Sequence, residues 1–150
     1  MFDKNALLEF NDYQHHYNVL ILEQCKKHKP AITDKTLELL NHSIAALHIW
    51  CDRINGIHKW DESIWANRDL FIMETSENKY YEEVKNILNQ KKCNKVITFF
   101  DFKGIEYKKE LNTIIFHALH HFTYHRGQIT LEFRKAGLEP IPSDYIVFKG

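Results

Sequence analysis

At 150 residues and 44% hydrophobic content the chain is long enough to bury a real core, and a single domain over 1–150 is expected. The 20 Lys and Arg balance the 20 Asp and Glu, so no net charge recruits nucleic acid or an anionic membrane, and neither is an expected partner. No apolar run approaches the roughly 18 residues of a spanning helix. The start "MFDKNALLEF" lacks a signal-peptide pattern, and Cys25, Cys51 and Cys93 form no CxxC pair, so a cytoplasmic protein with reduced thiols is expected.

Residues 4–28 place Phe10, Tyr13, Tyr17 and Leu20 at spacings of three and four, which predicts an amphipathic helix ended by Pro30. Thr33 or Asp34 caps a second helix over about 34–55, closed by Gly56, with the seam Leu37, Leu40, Ile44, Leu47, Cys51 and Ile54. Residues 56–74 read as irregular or briefly helical, and Thr75 or Ser76 as the cap of a third helix reaching about Gln90. The basic runs Lys26-Lys27-His28-Lys29 and Lys91-Lys92 fall at helix ends, where cations complement the helix dipole. The stretch "KVITFFDFKGIEYKKE" gathers β-formers before Lys103-Gly104 and predicts a short hairpin or extended excursion. A last helix runs from about Glu110 to Ala136 and stops at Gly137. The tail, with Pro140 and Pro142, is expected to be extended and to pack back through Tyr145, Ile146 and Phe148. The fold class is therefore all-α, a four-helix bundle with an extended or hairpin excursion before its last helix.

Ten histidines are unevenly spread, four of them in "HALHHFTYHRGQ", His117 to Gln128. On a helix Ile114, Ala118, His121, His125, Gln128 and Glu132 share a stripe, with His117 at its edge and His120 on another face. A pair at i, i+4 has Cβ atoms about 6 Å apart, suited to one ion. His117 and His125 are separated by about 12 Å of rise and cannot share one. The last helix thus offers two ligands, as His117/His121 or His121/His125, and a third must come from elsewhere. On the second helix His48 lies on a polar stripe with Asn41, Asp52 and Asn55 and reads as solvated. His42 shares a surface with Leu39, Ala46 and Ile49 that should face protein, where its ring nitrogens need a partner. His15 and His16, adjacent on the first helix, cannot both face inward, and one of them is a further candidate ligand; His28 and His58 read as surface residues.

"HFTYHRGQI", residues 121–129, resembles the signature of the DinB-like (YfiT-like) family of metal-dependent four-helix-bundle proteins: a histidine, three residues, then His-Arg-Gly-Gln. "LNHSIAALHIWCDRI" resembles the family's second-helix segment, where a histidine precedes a tryptophan by eight residues, as His42 does Trp50. "NDYQHHYN", the Lys103-Gly104 turn and the "RKAGLEPIPSDYIVF" ending fall in the same order, so the likeness covers nearly the whole chain. The resemblance implies His42, His121 and His125 as metal ligands and leaves His48, His117 and His120 outside the set.

Three neutral imidazoles leave coordination positions open, and zinc or nickel suits such donors. The resemblance implies a metal-dependent enzyme, a transferase or hydrolase acting on a small molecule, with a low-molecular-weight thiol as a candidate substrate. The competing expectation is a non-catalytic bundle that binds metal or a small ligand. A homodimer is expected, through a surface such as Phe116, His120 and Leu131. Gln128 is expected to orient a ligand, Arg126 to be structural or at an interface, and Gly127 to permit close helix approach. Glu38 and Glu132 are the carboxylates nearest the inferred stripes.

Overall fold

The structure, a computed structural model, describes residues 2–58, 63–66 and 68–148. It is mostly helical, with four long helices and two short strands. α1 (Lys4–Lys27) begins at Asp3, whose carboxylate accepts from Ala6 N at 2.8 Å, and ends with Lys26 and Lys27 in its last turn. A 3₁₀ turn over Lys29–Ala31, with Pro30 inside it, leads to α2 (Asp34–Ile54), where Thr33 Oγ1 accepts from Thr36 N at 3.1 Å. A single turn, α3 (Ser63–Ala66), follows; the part of the predicted irregular stretch that includes Trp60 lies outside the described residues.

α4 (Leu70–Gln90) starts earlier than predicted. Asp69, not Thr75 or Ser76, is its cap, accepting from both Phe71 N and Ile72 N, while Thr75 Oγ1 donates back to Phe71 O as a residue inside the helix. Phe71 and Ile72 are 72% and 48% exposed, so the first turn has no amphipathic pattern to read.

β1 (Val96–Phe100) and β2 (Glu106–Glu110) form the predicted hairpin, antiparallel in a register that opposes Val96 to Glu110 and Phe100 to Glu106. Its turn is held by Asp101, whose carboxylate accepts from Lys103 N and Ile105 N, and by Gly104 at φ +77°. The inward side chains of β1, Ile97 and Phe99, are buried, and Phe99 meets the Trp50 ring of α2 edge-on at 5.1 Å.

α5 (Leu111–Lys135) matches the predicted last helix to within a residue at each end, Gly137 closing it at φ +74° while Leu138 N donates to Phe133 O. The tail then differs from its prediction. Tyr145–Phe148 is a short helix, α6; Tyr145 and Phe148 pack on Tyr13, but Ile146 is 79% exposed and anchors nothing.

α1 packs on α4 and α5, and α2 packs on the same two, with the most extensive contact between α2 and α5. The core between them draws Leu7 and Leu22 from α1, Leu40 and Leu47 from α2, Met73 and Val84 from α4, and Ile115 and Leu119 from α5. Burying such a side chain is worth about 1.5–3 kcal/mol. Polar residues are buried as well. Gln14, Asn18, Glu77 and Arg126 lie inside, where Arg126 Nη2 donates to Gln14 Oε1 and, at 3.4 Å, to Asn18 Oδ1. Arg126 is thus structural, tying α5 to α1. Gly127 on the same helix is exposed, and a Cβ there would meet nothing within 4 Å. Among the described residues no helix approaches it, contrary to expectation.

Candidate metal centre

The α2–α5 contact is where the predicted ligands meet. His42 comes from the middle of α2, on the wall with the buried Leu39, Ala46 and Ile49 that the sequence pattern anticipated. His121 and His125 lie one turn apart on α5, below the buried Ile114 and Ala118. All three are half-buried, and one ligand-competent nitrogen from each lies within 4.8 Å of the other two. His121 Nε2 and His125 Nε2 are 3.1 Å apart, and ring centroids are 5.1 Å from His42 to His121 and 4.7 Å from His42 to His125. Among the described residues no other His, Cys, Asp or Glu joins this group.

The electrostatics favour the neutral form of His42 and His121. Desolvation, then the charges of His125, His42, His117 and His120, pushes His121 down to about 4. His42 is lowered by desolvation first, then by His125 and Lys35. Neutral imidazole is the form that offers a lone pair to a metal. The spacing also fits: metal–nitrogen bonds of about 2.0–2.1 Å set neighbouring ligand nitrogens about 3.3 Å apart around a tetrahedral ion. The His121–His125 pair already has that separation, and His42 needs to close only a short distance.

The other histidines are elsewhere or at the margin. His117 lies at the edge, its ring 6.4 Å from that of His121 and 5.2 Å from Trp50, and desolvation lowers its pKa first, ahead of His120 and Arg53. His120 is exposed and stacks on Phe116. His15 Nδ1 pairs with Glu77 Oε1 at 3.2 Å and His16 is exposed, so α1 brings no ligand. His48 is not solvated as its stripe suggested: α4 packs against that stripe, Asn41 is buried, and His48 stacks on Tyr80. His28 is half-buried near the end of α1, whereas His58 is exposed and edges onto Phe100.

Glu38 and Glu132 are both held by cations. Glu38 takes Arg68 at 2.6 Å and Lys35 at 3.8 Å, and Glu132 takes Lys135 at 2.9 Å. Sequence reasoning missed Trp65, whose ring lies 4.7 Å from that of His42 and walls the site on the α3 side. It stands in a stretch without periodicity, so nothing in the sequence pointed to it. Tyr124, 63% exposed and next to His125 on α5, edges onto its ring at 5.0 Å.

No curated protein matches the chain. The DinB family model matches residues 12–150, a span that includes all three converging histidines and the helices that carry them. The chain belongs to the DinB family.

Proposed function

We propose that His42, His121 and His125 hold one divalent ion, zinc or nickel, and that the protein is a metal-dependent enzyme acting on a small molecule. The reaction class is transfer to or from a low-molecular-weight thiol, or hydrolysis. The observation that carries this reading is the donor set: three imidazoles on two packed helices, with no fourth protein ligand among the described residues. Such a set leaves positions for water or substrate, as in catalytic rather than closed structural sites. When bound, the ion supplies Lewis acidity, which favours the deprotonated form of a thiol or of water at neutral pH.

The chain's own groups then have distinct tasks. The three imidazoles bind; Trp65 packs against the ring of His42 and Tyr124 against that of His125; Gln128 hydrogen-bonds His125 from the outer edge. The scaffold in this reading is a four-helix bundle forming a single domain over 1–150. We place it in the cytoplasm; no helix among the described residues is long and apolar enough to cross a membrane. We also propose a homodimer. The expected surface is altered in one respect: Phe116 is stacked on Phe2 at 4.0 Å within the chain, so the exposed part of that face is His120, Tyr124 and Leu131.

A second reading is a non-catalytic metal- or ligand-binding protein, since Glu38 and Glu132 both make ion pairs with cations and neither joins the three histidines where they converge. Turnover of a panel of electrophiles with glutathione-like thiols, with and without chelator, separates the two. Chelator-sensitive turnover is the expected result. Tight metal binding without turnover across the panel supports the binding protein instead.

A further inference from the structure

The two histidines of α5 are not equivalent at their second ring nitrogens. His125 Nδ1 lies 2.6 Å from Gln128 Oε1, while its Nε2 lies 3.1 Å from His121 Nε2. His121 Nδ1 is buried and has no hydrogen-bond partner among the described residues. An amide oxygen only accepts, so the Gln128 bond requires the His125 proton to be on Nδ1. A neutral imidazole carries one ring proton, which leaves His125 Nε2 a bare acceptor turned toward His121. The contact between the two Nε2 atoms is then a hydrogen bond only if His121 carries its proton on Nε2. That assignment also agrees with His121 Nδ1, which has no acceptor to receive an N–H.

We propose that Gln128 is the positioning residue of this site and that the two α5 histidines rest in opposite tautomers. Gln128 holds His125 as Nδ1–H, so its Nε2 lone pair already faces the ion position. His121 rests as Nε2–H and becomes a ligand only by changing tautomer. In that change the Nε2–H bond breaks, an Nδ1–H bond forms, and water carries the proton between them, with no net uptake or release. Gln128 therefore prepares one ligand in advance, while His121 meets the ion with an Nδ1–H that has no protein acceptor. This inference rests on the metal reading for its purpose, but the tautomers themselves belong to the metal-free protein.

The distinction sets the experiment. Long-range ¹H–¹⁵N imidazole spectra of chelator-treated protein at about pH 8, above the ordinary histidine range, should show Nδ1–H for His125 and Nε2–H for His121. Gln128→Leu should abolish the preference at His125, whereas Gln128→Glu, which still accepts, should keep it. Zinc affinity measured by competition with a chromophoric chelator should fall about 10–100-fold in Gln128→Leu and be retained in Gln128→Glu. His125 protonated on Nε2 in the wild type overturns the proposal, as does a Gln128→Leu protein with unchanged tautomers or unchanged zinc affinity. Correct tautomers with no zinc binding by the wild type sink the metal reading and with it the role assigned to Gln128, while the resting tautomers stand.

Discussion

His48 Nε2 and Asp52 Oδ2 lie 3.2 Å apart, one turn from each other on α2, and the His48 ring stacks on Tyr80 at 4.4 Å. That pairing turns His48 toward α4 and leaves His42 as the α2 histidine that meets α5. Replacing His42 by alanine should therefore strip most of the zinc or nickel from the purified protein, whereas His48→Ala should leave metal stoichiometry unchanged. Elemental analysis of the two variants checks this; equal metal content in wild type and His42→Ala would count against the ligand set.

Arg126 is 4% exposed, and its Nε and Nη1 make no hydrogen bond among the described residues, although the guanidinium lies over the Tyr13 and Tyr17 rings at 5.0 and 5.4 Å. Burial disfavours its charge, and the tyrosine Tyr13 and the carboxylate Glu77 favour it. Arg126→Met removes the donor to Gln14 and Asn18 and a cation that interacts with the buried Glu77, which keeps only His15 among the described residues, and removing one member of a buried charge network costs about 3–5 kcal/mol. Urea denaturation of the metal-free protein should show a loss of this size, with a smaller loss for Arg126→Lys. A change under about 1 kcal/mol in Arg126→Met would place its effect in the range of an exposed ion pair.

Gly127 sits in the middle of α5 with open space where a Cβ would be. Glycine inside a helix costs about 0.5–1 kcal/mol relative to alanine, and here no clash offsets that. Gly127→Ala should raise stability by about that amount. A loss instead would show that something outside the monomer needs the space, and light scattering on both proteins distinguishes a disrupted dimer from a strained helix.

The thiols should divide by location. Cys25 and Cys51 are almost fully buried; desolvation pushes Cys25 up to about 12 and is also the first cause of the rise at Cys51. A raised pKa means that the reactive thiolate is scarce at neutral pH and remains scarce at about pH 9. A disulfide reagent should modify one thiol quickly in the native protein, the half-buried Cys93, and all three only after denaturation. Fast modification of two in the folded state would contradict the packing.

The last helix was legible because its signals agreed: a long apolar stripe, a histidine pair at i, i+4 and Gly137 just beyond its end. α4 was read late because Asp69 capped a first turn whose Phe71 and Ile72 face outward, so periodicity began only with the second turn. The buried face of α1 was only half visible. Its aromatic residues stood out, while Gln14 and Asn18 look like surface residues until Arg126 arrives from α5. Face-sorting found His121 without ambiguity but could not choose between His117 and His125, and only the family resemblance singled out His125. Trp65 could not be found from the sequence, because its place beside His42 follows from the packing of α3 on α2, which no local pattern marks.

His42 and His121 stand about eighty residues apart along the chain, yet on the two helices with the most extensive contact. An ion shared between them is a cross-link: it closes a loop that contains all of α4 and the hairpin, as a disulfide would, but reversibly. Ligand linkage gives about 2.7 kcal/mol of added stability when free metal is a hundred times its dissociation constant. With the proposed ion bound, the melting temperature of this protein should rise with free metal concentration, as the reversible cross-link closes in a growing fraction of the chains.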